Sequence, residues 1–499
     1  MRSPVPVIAA LAILCAAAPH AQITTNPLPD RIQKRGLAVE IRELVRLPDT
    51  RGMRPADQDT KPAGWARISV VRDGPDGRRF VIDARGLMYV LGADGRPSVY
   101  LNAAEAFPFA SYLRLASGLN GFTFHPEFAK NGLFYTVHTE QVQGNPARPD
   151  FIPPGYTAKD VTWHNVITEW RAADPPAGAF TGTRRELLRI AHVTTNQSHP
   201  FSSVEFNPTA KPGSPDYGLL YTSGSDLGFS NGGGPNANNP SQTQRLDSVI
   251  TAILRIDPRS PSQTRGAKGL GDYTVPASNR FAADGDPKTL GDIYAYGFRN
   301  AHRLSWDPAD GTMFASDIGM NQIEEINIVR NCENYGWMKR EGIFENGMSR
   351  PGGALDQLFE LPADILDGRT KDGFISPVAM YDHDEGVAVS GGFAYRGRIA
   401  ALRGKFVFGD VARGRLFAAD LDALKKADDG VPRTVAPIEE IQLYVRDGSG
   451  ARRDVSLQQL VDEKMGMKIS RADLHIGQTR DGELLISSRQ DGTIRMLVP

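Results

Sequence analysis

Four stretches of the chain carry side chains that could do chemistry. In "TTNQSHPFSSVEF" (194–206), His199 stands among small polar residues. An imidazole that titrates near neutrality can take a proton from a hydroxyl, the opening step in oxidising an alcohol or hemiacetal. In "IYAYGFRNAHRLSWDP" (293–308), the Arg299 fork beside the Asn300 amide suits carboxylate or carbonyl oxygens of a ligand. In "SDIGMNQIEEINIVRNCENYGW" (316–337), Asp317, Glu324 and Glu325 accompany the carbonyls around Gly319 and Met320. Hard oxygens of this kind suit Ca²⁺, although the stretch lacks the Asp spacing and the glycine of an EF-hand loop. Finally, "YDHDEGVAVSGGFAYRGR" (381–398) and "FGDVARGRLF" (408–417) supply Arg396, Arg413 and Arg415, enough positive charge in one region for a polyanionic cofactor. Each stretch has a plainer reading: a structural loop histidine, an arginine bonding nearby carbonyls, a solvated acidic turn, and ordinary surface charge.

These groups need elements that bring them together, and the sequence repeats one. "DGPDGRRFVIDARGLMYVLGADG" (73–95), "FHPEFAKNGLFYTVHT" (124–139), "FNPTAKPGSPDYGLLYTSGSD" (206–226), "WDPADGTMFASDIG" (306–319), "LRGKFVFGDVARGRLFAAD" (402–420) and "QTRDGELLISSRQDGTIRML" (478–497) share a pattern. Each has a turn of Gly, Asp or Pro followed by short aromatic and β-branched runs. A lone four-stranded unit cannot bury both faces, whereas radial stacking of several does. The expectation is an all-β, six-bladed β-propeller with long inter-strand loops, the terminal hairpin completing a blade with a strand from the other end of the chain. A pair of β-sandwiches is the alternative. Helical periodicity is confined to "LDALKKADD" (421–429) and "VSLQQLVDEKMGM" (455–467), and the polar run 228–244 reads as a loop.

Bulk properties exclude several functions. Lys and Arg number 57 against 58 Asp and Glu, so no global field holds a nucleic acid or an acidic membrane. Residues 1–21 form an Arg-led apolar segment ending in small residues, a secretory signal too short to span a bilayer, and no later stretch is apolar enough to cross one. Removing it leaves Cys332 as the single cysteine of the mature chain, so stability must come from packing. The division is a signal peptide at 1–21, an N-terminal arm and first strands at 22–64, and a propeller domain at 65–499, in a periplasmic or secreted protein.

Taken together, "GLNGFTFHPEFAKNGLFY", "SHPFSSVEF", "GLLYTSGSD", "IYAYGFRNAHRLSWDP", "EEINIVRNCENYGW", "SGGFAYRGR" and the terminal "GQTRDGELLISSRQDGTIRML" resemble the soluble quinoprotein glucose dehydrogenase and aldose sugar dehydrogenase family, also called the glucose/sorbosone dehydrogenase family. The resemblance implies a propeller that holds pyrroloquinoline quinone (PQQ), a tricarboxylate, with Ca²⁺, and oxidises an aldose sugar or related alcohol. Electrons would then pass to a quinone or cytochrome acceptor. His199 falls on the family's base. Arg299 and Asn300 fall on its cofactor-contacting pair, and Arg396, Arg413 and Arg415 on its basic cofactor contacts. Gly319 and Met320 fall on the carbonyls for the cofactor-side Ca²⁺, and Glu325 and Tyr335 resemble positions near a second, structural Ca²⁺. The chain departs from the glucose-oxidising members at Ala116, Ser198, Met320 and Arg396. Ser198 removes a carboxylate that would orient the imidazole, and "PFSS" after His199 is expected to crowd that wall. Two other functions remain open: a Ca²⁺-dependent hydrolase or lactonase, and a propeller that only binds.

Overall fold

The structure, a computed structural model, describes residues 22–499 apart from 25, 30, 54, 55, 58–62, 110, 111, 115, 196, 231–238 and 321. The expected signal segment and the middle of the 228–244 loop lie outside the described residues. Strands dominate, and the longest helix among the described residues is Leu457–Met465. That helix and Leu421–Ala427 fall where periodicity places them. Ser456 and Gln459 form a capping box on the first, and the Asp420 carboxylate accepts from Ala423 N on the second, each satisfying amides a short helix leaves unpaired.

Sequence-adjacent strands pair antiparallel in groups of four. Sheet I joins Ile68–Asp73, Arg79–Asp83, Leu87–Leu91 and Pro97–Asn102. Sheet II joins Leu119–Phe124, Leu133–Gln141, Trp163–Ala172 and Gly182–His192. Sheet III comprises Val204–Phe206, Leu220–Thr222, Ala252–Ile256 and Ile293–Tyr296. Sheet IV comprises Ala301–Trp306, Met313–Asp317, Ile323–Ile328 and Ala379–Asp382. Between its last two strands runs an insertion, Arg340–Glu341, Phe344–Asn346 and Leu358–Glu360, to which Gln22–Ile23 adds a strand. Sheet V holds Phe393–Ala394, Lys405–Gly409, Leu416–Asp420 and Ile438–Arg446. Sheet VI takes Leu474–Gln478, Leu484–Ser488 and Thr493–Val498, and its fourth strand is Ala38–Arg46, from the other end of the chain.

The closing hairpin thus finds the partner expected of it. Ala38–Arg46 pairs antiparallel with Thr493–Val498 and parallel with Ile438–Arg446, so sheets V and VI share an edge, and a bridge from Gln478 to Arg72 continues VI into I. Apolar side chains fill the spaces between sheets. Phe80, Phe124, Phe134 and Trp170 pack together between I and II, while Val39, Ile41, Leu443 and Leu497 pack where V and VI meet. Burying each such side chain contributes about 1.5–3 kcal/mol.

The first strand of every sheet faces a shared central space. Val70, Thr123, Glu205, Ser305, Phe393 and Gln478, one from each, line a single cavity of about 500 Å³. Two glycines let these strands approach. A Cβ on Gly121 would stand 2.6 Å from the Ser202 carbonyl, and one on Gly477 would collide with the Val71 carbonyl.

Candidate active site

The base candidate lies in a loop that the fold strains. His199 precedes Val204–Phe206 and adopts φ +50°, a left-handed conformation that costs a residue with a Cβ about 1–3 kcal/mol. Its surroundings hold it there. The His199 carbonyl accepts from Ser225 Oγ at 2.6 Å, and Nδ1 meets Asp226 Oδ1 at 2.6 Å. Asp226 follows Leu220–Thr222, and its amide donates to the Arg299 carbonyl at 2.8 Å, which ties sheet III to the start of sheet IV.

The carboxylate of Asp226 is fully buried and fully engaged. Besides the imidazole it accepts from Gly228 N at 2.9 Å, from Ser230 N at 3.1 Å and from Ser230 Oγ. Burial alone would push its pKa up, but His199, Arg299 and Ser230 outweigh it and hold the carboxyl down at about 2. The His199 pKa is lowered from its ordinary value, by burial first and by Arg299 second, against the opposing pull of Asp226. The pair is therefore a neutral imidazole on an ionised carboxylate. Nδ1 donates its proton to Asp226, which leaves Nε2 as the basic nitrogen. The Ser198 departure does not strip the imidazole of an orienting carboxylate, because Asp226 supplies one from a different loop. Phe201 turns into the core, and only Pro200 and Ser202 of "PFSS" line the site.

His199 lines a cavity of about 300 Å³. Arg299, Asn300, Gly319 and Met320 line it too, so the structure gathers five of the residues singled out in the sequence. Arg299 is woven into the site. Its backbone amide and that of Asn300 donate to the two oxygens of Asp317 at 3.0 and 2.6 Å, and its Nε donates to Ser230 Oγ at 3.1 Å. Its Nη1 donates to the carbonyls of Ile318, at 2.9 Å, and Gly319, and Nη2 lies 3.3 Å from the Met320 sulfur. A hydrogen-bonded chain thus runs from His199 through Asp226 and Ser230 to Arg299 and the 318–320 turn.

Other expected residues are placed elsewhere. Arg396 pairs with Asp307 at 2.6 Å; Arg413 donates to the carbonyls of His383 and Asp384; Arg415 bridges Glu385 and Glu440, both at 2.6 Å. Local carboxylates and carbonyls claim these guanidiniums, and none of the three lines the cavity. Among the described residues the positive lining comes instead from Arg114, Arg299, Arg471 and Arg489, with Asp473, which pairs with Arg471 at 2.9 Å, as the single carboxylate. His302 and His475 also line it, and burial lowers the pKa of both well below the ordinary value. Tyr335 stacks on Phe298 and spends its hydroxyl on Ile328 O and Arg330 N. Glu325 accepts from Asn327 and from Gly342 N, and burial pushes its pKa up to about 7.

At the turn expected to bind Ca²⁺, the Gly319 carbonyl accepts from the Arg299 guanidinium and the Met320 amide donates to Glu341. Among the described residues no group of three or more His, Cys, Asp or Glu side chains converges on a point where an ion could sit. No helix among them is long and apolar enough to cross a membrane.

Asp226, Arg114, Arg471, Arg489 and the buried amides of Asn120 and Gln197 escaped the sequence reading. Asp226 alone had a signal, lying at the end of "GLLYTSGSD", a strand that must return beside His199.

HIPL1 protein of Arabidopsis thaliana is 27% identical over 375 residues, 68% of this chain and 50% of its own length. HIPL2 protein of the same plant is 27% identical over 335 residues, 60% of this chain and 43% of its own. The chain thus spans about half the length of the curated relatives it matches. Among solved structures, the PQQ-bound aldose sugar dehydrogenase of Streptomyces coelicolor superposes with a TM-score of 0.53 at 17% identity, covering 92% of this chain and 98% of that one. The apo soluble aldose sugar dehydrogenase of Escherichia coli does so with a TM-score of 0.53 at 15% identity, covering 92% and 99%. The sequence profile of the glucose/sorbosone dehydrogenase family matches residues 66–447, and the chain belongs to that family.

Proposed function

We propose that this chain is a PQQ-dependent oxidoreductase that oxidises an aldose sugar or a related alcohol. The observation that carries the reading is the buried His199–Asp226 pair on a cavity lined by four guanidiniums. A tricarboxylate cofactor needs several cations and few opposing anions, and four arginines against one aspartate, which Arg471 neutralises, leave the lining positive. Arg299, Asn300, Arg114, Arg471 and Arg489 would hold it. When bound, the quinone supplies a two-electron acceptor for the hydride leaving the substrate carbon.

The chain's own residues supply the proton chemistry. His199 Nε2 removes the proton from the substrate hydroxyl as that carbon is oxidised, and Asp226 stabilises the imidazolium that results. Asp226 also fixes the tautomer, since its ionised carboxylate can only accept the proton on Nδ1. Arg299, joined to Asp226 through Ser230, places positive charge beside the dyad and favours the neutral, basic imidazole. The 318–320 turn contributes carbonyls that Arg299 holds, so Ca²⁺ would enter here only if the arginine released them.

The rest of the architecture fits a six-bladed propeller. Sheets I–VI are its blades, the strand Ala38–Arg46 closes the ring, and the first strands surround the channel. We assign residues 65–499 to that domain and residues 1–21 to export, which places the enzyme in the periplasm or outside the cell. A calcium-dependent hydrolase would be favoured by several carboxylates on one ion, and among the described residues no three His, Cys, Asp or Glu side chains gather so.

The test is reconstitution. Mature protein is titrated with PQQ, with and without Ca²⁺, and dye reduction is followed over a panel of aldoses and alcohols beside His199→Ala. Quinone-dependent turnover that vanishes in the variant supports the reading. A folded protein that takes up no quinone under either condition overturns it.

A further inference from the structure

We propose that Asn120 and Gln197 read the ring hydroxyls of the substrate. The identity of that substrate rests on the dehydrogenase reading above; the recognition itself rests on the two amides. Asn120 is 1% exposed and Gln197 is 4% exposed, yet neither the nitrogen nor the oxygen of either amide has a hydrogen-bond partner among the described residues. Both side chains line the cavity that holds His199. Buried amides in a folded protein are almost always satisfied, so four unsatisfied polar atoms around one cavity mark a place where something else completes them.

The chemistry of the amides defines that partner. Each carries two N–H donors beside a carbonyl acceptor, and a hydroxyl is both donor and acceptor, so two amides match adjacent hydroxyls of a cyclic polyol. A carboxylate would meet an amide oxygen with no proton to share. The anionic part of any ligand is drawn to the arginines, and the neutral, hydroxyl-bearing part falls to Asn120 and Gln197. Their positions are fixed from outside the cavity. Asn120 lies on the innermost strand of sheet II, next to the glycine that abuts the Ser202 carbonyl, and Gln197 lies two residues before the strained His199. Asn120 and Gln197 therefore line the same cavity as the base.

The experiment compares wild type with Asn120→Leu and Gln197→Met, which keep size and remove the amide, and with Asn120→Ser and Gln197→Ser, which remain available if the apolar variants do not fold. Melting of the apo protein comes first. An amide with no protein partner can be replaced without loss, so Tm is expected to hold or rise; a fall in all the variants overturns the proposal. Glucose, galactose and xylose are then titrated calorimetrically, and quinone is titrated separately by absorbance. Sugar affinity is expected to weaken about tenfold in each variant, with sugar KM rising alike, kcat changing little and quinone affinity unchanged. Quinone-dependent turnover with unaltered sugar KM in both positions overturns this proposal and leaves the dehydrogenase reading intact. Sugar binding that the variants lose, in a protein that takes up no quinone, supports this proposal while the dehydrogenase reading falls. Absence of both sugar binding and turnover in wild type overturns the two together.

Discussion

In the proposed reaction the chemistry of the site turns on one imidazole and the carboxylate behind it. Because burial and Arg299 lower the His199 pKa, a base at this position is neutral above that lowered value and should lose activity only as pH falls through it. The acid limb of kcat/KM should therefore have its midpoint below 6.5. Asp226 is the group that pulls the imidazole pKa upward, so Asp226→Asn should move the midpoint further toward acid, and should cut kcat by about 10²–10⁴ through loss of the tautomer and of imidazolium stabilisation. A pH–rate profile of the two proteins checks both points; a midpoint that moves toward alkali in the variant would show that Asp226 does not act on His199. The sequence offered the histidine because its chemistry is read from residue type alone. It did not offer the aspartate, since the two stand 27 positions apart with two strands between them and only folding closes the 2.6 Å contact.

Elements decide what each charged side chain can reach. "YGFRN" ends one strand and opens another, and the Arg299 amide is pinned by Asp317 on the neighbouring strand, so its guanidinium is delivered to the 318–320 turn. Arg396, Arg413 and Arg415 carry the same charge in an equally arginine-rich motif. They are drawn off by Asp307, by the carbonyls of 383 and 384, and by Glu385 and Glu440, partners whose arrival no spacing rule shows. The site's arginines were accordingly legible as a composition and illegible as a set. The turn itself is testable. With its Gly319 carbonyl held by Arg299, calcium added without quinone should leave the Tm of wild type unchanged, and Arg299→Lys should weaken quinone binding, because one ammonium cannot hold both carbonyls and Ser230 Oγ and still face a ligand. Melting curves with calcium or chelator, and an absorbance titration of the variant, read the two effects. A saturable rise in wild-type Tm would mean that the arginine yields its carbonyls to the ion.

At the scale of the molecule, the repeated turn-and-strand pattern disclosed sheets I–VI and called for a strand from the other end of the chain, but did not mark which residues form it. Ala38–Arg46 has no Asp-Gly turn beside it, because its hairpin partner lies more than 400 residues away, and so it carries none of the local signals that mark the other strands. What identifies it is burial. Val39 and Ile41 are 2% and 1% exposed, and Ile41 stands directly opposite Leu497, itself fully buried. If this pairing holds the two ends of the chain together, Ile41→Ala and Leu497→Ala should each cost about 2–5 kcal/mol, and the double variant should cost less than their sum, because the second truncation removes contacts already lost with the first. Urea unfolding of the four proteins measures that coupling. Either substitution also loosens the pairing of Ala38–Arg46 with Thr493–Val498, and an edge so uncovered recruits other chains, so the variants should aggregate at urea concentrations that wild type tolerates. Additive losses with no rise in light scattering would show that the N-terminal strand rests on the molecule without closing it.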